Sequence, residues 1–174
     1  MKTALTTKDI RRLLGALNDE LRADDVKAHV KLAGGAVMCL VFAARDATRD
    51  VDAWFQPSVK VLEAAHRVAA RENVPDTWLN DAVTGFLSDR GTFDSFLELD
   101  HLRVFVADAR YMLAMKTLAL RTGEGYHDED DLRYLVRHLD LTRFEDAEAI
   151  LSAYYSLEGY PRRSLAALRE IIER

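Results

Sequence analysis

The chain has 174 residues, 49% hydrophobic and 30% charged, the balance of a globular protein, which excludes a disordered chain. Lys and Arg number 24 against 29 Asp and Glu, a net charge of -5, so a general electrostatic grip on nucleic acid is excluded and only a local basic cleft remains open. The single cysteine, Cys39, rules out an internal disulfide and a cysteine-built zinc site. The N-terminal MKTALTTKDIRRLL has no long apolar run ahead of its charges, so no secretory signal is expected. No window approaches about 18 uninterrupted apolar residues, so no membrane span is expected and a cytoplasmic protein is.

Thr7, Lys8 and Asp9 open the first periodic segment. Ile10, Leu13, Leu14, Leu17 and Leu21 recur at three and four, the spacing of a helix with one buried stripe, and Asp24-Asp25 ends it. From Val26 to Ala33 the even positions Val26, Ala28, Val30 and Leu32 are apolar, which predicts a strand with one covered face. Gly34-Gly35 follows at once, and the apolar run Ala36 to Ala44 predicts a buried helix. Arg49 to Phe55 alternates again, with Val51, Ala53 and Phe55 on one face and Asp50, Asp52 and Trp54 on the other.

Pro57 starts a helix whose apolar side is Val59, Leu62, Ala65, Val68 and Ala69, and Asn73-Val74-Pro75 stops it. Residues 77–87 are expected to form a short helix around Trp78, Leu79, Val83, Phe86 and Leu87. Phe96 to Val106 suits one strand or two short ones. Helices are expected over 108–121, 128–139, 143–156 and 161–173, separated by Gly123/Gly125, Asp140-Leu141-Thr142 and Gly159-Tyr160-Pro161. The order predicts an α+β fold: a small mixed sheet with flanking helices over 1–107, followed by a helical C-terminal bundle over 108–174 packed on it.

The residues that point to chemistry lie between Val30 and Phe55. A strand ends in Gly34-Gly35 and hands over to a helix, and two glycines there let the backbone approach a ligand. A helix start also offers unpaired N–H groups to a phosphate. Sixteen residues after Gly34 comes Asp50-Val51-Asp52. Two aspartates two apart on a strand project from one face. Their mutual repulsion is relieved by a divalent cation between them, and Mg²⁺ is held by one or two carboxylates plus substrate phosphate oxygens. The segment therefore sketches a metal–triphosphate site.

Gly34-Gly35 followed by Asp50-x-Asp52 resembles the DNA polymerase β-type nucleotidyltransferase superfamily. Its pattern is a Gly-Gly turn and then a hydrophobic-Asp-hydrophobic-Asp-hydrophobic strand, here Arg49-Asp50-Val51-Asp52-Ala53. Arg45-x-x-Thr48-x-Asp50-Val51-Asp52, Trp78-Leu79-Asn80-Asp81 and Leu113-Ala114-Met115-Lys116 are similar to a bacterial nucleotidyltransferase-like branch. That branch is related to the toxins of abortive-infection toxin–antitoxin pairs. It typically carries a helical lysine, an arginine and an Asp-x-x-Asp-hydrophobic helix start, matched here by Lys116, Arg121 and Asp128-Glu129-Asp130-Asp131-Leu132. Two departures stand out. Ala36 replaces the Ser or Thr that many members place after the glycines. The third metal carboxylate has no obvious counterpart, Glu98 and Asp100 in FLELDHL being the positions available.

The resemblance implies a Mg²⁺- or Mn²⁺-dependent transferase moving a nucleoside monophosphate from an NTP to an acceptor hydroxyl. Asp50 and Asp52 hold the metal, Gly34 and Gly35 cradle the phosphates, and Arg45 and Thr48 position the nucleotide. Lys116 neutralises the triphosphate, with Asp128 or Asp131 as orienter or base. The toxin-like likeness implies a tRNA end or a protein as acceptor and a cognate antitoxin as partner. The residues also allow plainer readings. Asp50 and Asp52 can be a solvated face paired with Arg45, Arg49 or Lys31, and Lys116 can snorkel from an apolar helix. Asp128 with an acid three residues on resembles a capping box. Tyr154, Tyr155 and Tyr160 read as packing residues, and the five histidines show no metal spacing. A module on the same fold that binds nucleotide without catalysis, or docks a partner protein, is the alternative function.

Overall fold

The structure is a computed structural model that describes residues 1–123 and 125–174. The fold is α+β, with a small mixed sheet, flanking helices and a helical C-terminal part. The chain forms two compact units: Met1–Gly85 with Phe93–Ala107, and Phe86–Thr92 with Asp108–Arg174.

In the first unit, α1 (Thr7–Ala23) buries the stripe Ile10, Leu13, Leu14, Leu17 and Leu21. It is preceded by the two-residue strand β1 (Leu5–Thr6). Then come β2 (Ala28–Ala33), α2 (Gly34–Leu40), β3 (Ala47–Thr48), β4 (Val51–Gln56), α3 (Ser58–Glu72), β5 (Leu79–Asn80), β6 (Phe93–Glu98) and β7 (Leu102–Ala107). The five-stranded sheet has the order β5-β4-β2-β7-β6. β2 runs antiparallel to β4 and parallel to β7, so the sheet is mixed. Val30, Leu32, Val51, Ala53, Val104 and Val106 form the buried face, as period-two alternation requires, and α1 and α3 pack together on this core.

Two expected elements differ, and a third takes the two-strand form of its two readings. Residues 77–87 hold no α-helix: Leu79–Asn80 pairs as a strand with β4, and a 3-10 turn follows over Ala82–Phe86. Trp78, whose apolar spacing suggested a helix face, is instead buried with its indole N–H donating to the Ala65 carbonyl at 3.0 Å. The helix here spans Gly34–Leu40, so it takes in both glycines and stops short of the expected Ala44, and the backbone is left-handed at Ala43, φ 49°. Phe96 to Val106 belongs to a hairpin, β6 and β7, with a register shift between Ser95 and Leu97.

Entry into α1 is fixed by a reciprocal cap. Thr6 Oγ1 accepts from the Asp9 backbone N–H at 3.3 Å, and Asp9 Oδ2 accepts from the Thr6 N–H at 2.9 Å. The Lys2 ammonium, 2.8 Å from Asp9, and the Thr6 backbone N–H hold that carboxyl well below the usual carboxylate range. β1 also pairs with β3, setting Leu5 opposite Thr48. We expect Thr6→Ala to lose about 1 kcal/mol, read as a melting point lower by a few degrees. An unchanged melt would mean that the first turn of α1 is held by packing alone.

The second unit contains α4 (Ala109–Leu118), α5 (Asp128–His138), α6 (Phe144–Tyr154) and α7 (Arg162–Glu173). Its core includes Tyr111, Leu113, Leu132, Leu135, Phe144, Leu151 and Leu168. Tyr111 and Tyr154 stack with centroids 4.8 Å apart, and Tyr160 is buried. Residues 86–92 join this unit because Ser88 is tied to it: its N–H donates to the Tyr111 hydroxyl at 2.8 Å and its hydroxyl to the Tyr154 carbonyl. Among the described residues no helix is long and apolar enough to cross a membrane.

Candidate functional site

The end of β2 creates a close approach between backbone and acid. Ala33 lies opposite Asp52 in the antiparallel β2–β4 register, and Gly34, at φ 66°, turns the chain immediately afterwards. A Cβ at Gly34 would stand 2.7 Å from Asp52 Oδ2. One at Gly35 would stand 2.5 Å from Thr48 Oγ1 and 3.0 Å from Arg45 Nη1. Two side chains of the β3 region and one of β4 thus close on the glycine turn. Thr48 is set there by its pairing with Leu5 in β1, which the sequence pattern did not reveal because two residues carry no period.

Asp50 sits one residue ahead of β4, and Asp52 is in the strand. Both are half-buried. The Asn80 side-chain N–H donates to Asp50 Oδ2 at 3.3 Å, while Asn80 Oδ1 accepts from the Ala82 backbone N–H at 3.1 Å. β5 delivers this amide through the Asp52–Asn80 register. The sequence marked Asn80 only through the family pattern, without a role; the structure shows it orienting one carboxylate. Among the described residues no three His, Cys, Asp or Glu side chains group to hold a metal. Two half-buried carboxylates are hard oxygen donors, which suit Mg²⁺ or Mn²⁺ when phosphate oxygens complete the shell.

Glu98 and Asp100 are not near this end of the sheet. Ala28, at the start of β2, aligns with Leu102, at the start of β7, so the β6–β7 turn lies at the opposite end from Gly34. There Asp100 accepts from Arg22 and Asn18, and Glu98 pairs with Arg103 at 2.9 Å. Both line a groove of about 450 Å³ with Lys27, His29, His101 and Arg103, a lining of mixed charge. On the face of Asp52, β7 offers Arg103, Phe105 and Ala107, and none is an acid.

Lys116, Asp128 and Asp131 come together inside the second unit. The Lys116 ammonium is 3.0 Å from Asp128 Oδ1 and 2.8 Å from Asp131 Oδ2, and all three side chains are buried. Asp128 Oδ2 also accepts from Arg121, through Nε at 3.0 Å and the backbone N–H at 3.2 Å. Burial by itself raises the Asp128 carboxyl, but the Arg121 hydrogen bond and the Lys116 charge outweigh it and hold it below the ordinary value. The capping-box reading of Asp128 fails. The cap position is His127, without a side-chain bond, and Asp128 is the first helical residue with both oxygens occupied by Lys116 and Arg121. Two buried carboxylates are thus matched by two cations, the buried Lys116 and the exposed Arg121, whose guanidinium reaches Asp128 from the surface.

The structure thus gathers Gly34, Gly35, Arg45, Thr48, Asp50 and Asp52 in the first unit and Lys116, Asp128 and Asp131 in the second. Comparison with protein-family models, with curated proteins and with solved structures gives no match.

Proposed function

We propose that the chain is a metal-dependent nucleotidyltransferase that takes an NTP and passes its nucleoside monophosphate to an acceptor hydroxyl. The observation that carries this reading is the contact of the Gly34 turn with Asp52, flanked by Thr48 and Arg45 on Gly35. The missing Cβ atoms let Asp52, Thr48 and Arg45 close on the turn, which sets an acid for a cation beside donors for a phosphate chain. Arg45 and Thr48 bring a guanidinium and a hydroxyl to the same turn, the donors that phosphate oxygens accept from.

In the reaction the acceptor oxygen bonds to the α-phosphorus as the bond to the bridging oxygen of the β-phosphate breaks. Pyrophosphate leaves, and the hydroxyl proton is released to solvent. Asp50 and Asp52 would hold the divalent cation, which would supply neutralisation of charge on the phosphate oxygens. Asn80 keeps Asp50 oriented, and the glycine turn keeps the phosphate against Asp52. The acceptor is a hydroxyl of an RNA end or of a protein, and a cognate antitoxin restrains the activity. The lack of an acid at Arg103, Phe105 and Ala107 favours a second reading, in which the same turn binds nucleotide without transferring it.

Calorimetry with each of the four ribonucleoside triphosphates tests both. Wild type is expected to bind at least one in Mg²⁺ and poorly in EDTA, and Asp52→Asn to lose the Mg²⁺-dependent part, about tenfold or more. Equal binding by Asp52→Asn and wild type would sink the metal assignment. Label transfer to RNA or protein separates the enzyme from the silent binder.

A further inference from the structure

Lys31 projects from β2 on the face of the sheet that carries Asp52. Its cross-strand partner is Trp54, and Asp52, two residues from Trp54 on the same strand, is one row further, about 7 Å along β4. The Lys31 ammonium stands 5.0 Å from the centroid of the Trp54 ring and 5.1 Å from that of Phe93. Phe93 pairs with Ala107 in β6–β7, and Ala107 follows the Leu32–Val106 register by one residue, which places Phe93 in the row of Ala33 and Asp52. The two rings therefore bracket the ammonium between the row of Trp54 and the row of Asp52. The floor between Asp52 and Phe93 is made of two alanines, Ala33 and Ala107, which leave the smallest side chains beneath that space.

Aromatic faces hold a cation without neutralising it and without taking its hydrogen bonds. Among the described residues no carboxylate lies within ion-pair distance of Lys31, whereas Lys116 has two. The Lys31 ammonium thus keeps three N–H donors for an acceptor from outside. On this side of Asp52, β7 contributes Phe105 and Ala107, so among the strand residues facing that space Lys31 brings the positive charge, with Arg45 across the glycine turn.

We infer that Lys31 is the phosphate-binding lysine of this protein, its ammonium held by Trp54 and Phe93 to receive the polyphosphate of a ligand seated at the Gly34–Asp52 turn. Resting on the nucleotidyltransferase reading, this assigns to Lys31 the contact that the family resemblance implies for Lys116. The acid pair with its cation takes the phosphate chain from one side and the lysine from the other. Trp54 and Phe93 are positioning residues that act through the lysine.

The test is calorimetry in Mg²⁺ with the four ribonucleoside triphosphates and with inorganic tripolyphosphate, on wild type, Lys31→Met, Lys31→Arg and Asp52→Asn, each shown folded by its melt. We expect Lys31→Met to weaken binding of triphosphate and tripolyphosphate by about tenfold or more, the loss of a charge-assisted contact. Lys31→Arg, which keeps the charge and stacks on aromatic rings, should stay within about threefold. If Asp52→Asn weakens binding and Lys31→Met does not, the assignment of Lys31 is overturned and the nucleotide site stands. If Lys31→Met weakens tripolyphosphate, Asp52→Asn changes nothing and no nucleotide is preferred, the lysine stands and the nucleotidyltransferase reading falls. No binding of any probe by wild type overturns both.

Discussion

Replacing Lys116 with methionine is expected to lower stability by about 3–5 kcal/mol, because it leaves two buried carboxylates without their shared cation. Asp128 and Asp131 are 3% and 1% exposed, so water cannot replace the ammonium. In a chain of this length the loss corresponds to a fall in melting temperature on the order of 10 °C. The pH dependence identifies the cause. In wild type the Asp128 carboxyl lies below its ordinary value, so its contribution is full above the unfolded value, about 3.9, and is lost as pH falls through the folded one. Without Lys116, burial is opposed mainly by Arg121 and the carboxyl rises. Acid then neutralises it at less cost, and the two melting curves converge below about pH 4. A Lys116→Met protein that melts like wild type at pH 7 would show that the cluster contributes nothing to the helical unit. Asp128→Ser, harmless for a cap, is expected to be costly here for the same reason.

Elements with a long period are legible in the amino-acid order itself. Ile10 to Leu21 and the alternations of Ala28–Leu32 and Val51–Phe55 bury the residues their spacing marks, while Val26, expected in the first of these strands, lies ahead of it and is only partly buried. β1, β3 and β5 are not legible there, because a two-residue strand has no alternation and is made by its partner. Leu79-Asn80 follows this rule: the apolar residues around it fit a helix, yet the Val51 N–H donates to the Trp78 carbonyl at 2.6 Å and pulls the segment beside β4. At the candidate site, the spacing from Gly34 to Asp52 is that of two strands joined through a short helix, so their approach follows from the strand pairing. The depth of Lys116 and its acids is a tertiary property, and sequence alone leaves cap, snorkel and site open. Lys31 shows the converse. It reads as one polar position in an alternating strand, and only the sheet brings Trp54 and Phe93 to its ammonium.

Gly34→Ala is expected to remove metal-dependent nucleotide binding, by about tenfold or more, while the protein still folds. Two independent effects act at that residue. Its φ of 66° is in the left-handed region, where an alanine costs about 1–2 kcal/mol. The added methyl would also stand 2.7 Å from Asp52 Oδ2, inside contact distance, so the carboxylate or the turn must move. Backbone strain alone lowers the melt. Displacement of Asp52 changes the ligand site. Gly85→Ala is the control, since a Cβ there meets nothing within 4 Å and its φ is not in the left-handed region. Adding Asp52→Ala to Gly34→Ala separates the two effects: it relieves the clash and leaves the strain, so the double variant should regain part of the melting loss and none of the binding. Wild-type affinity in Gly34→Ala would show that the turn and the carboxylate do not share a ligand. Recovery of binding in the double variant would show that Asp52 serves only as a packing neighbour of the turn.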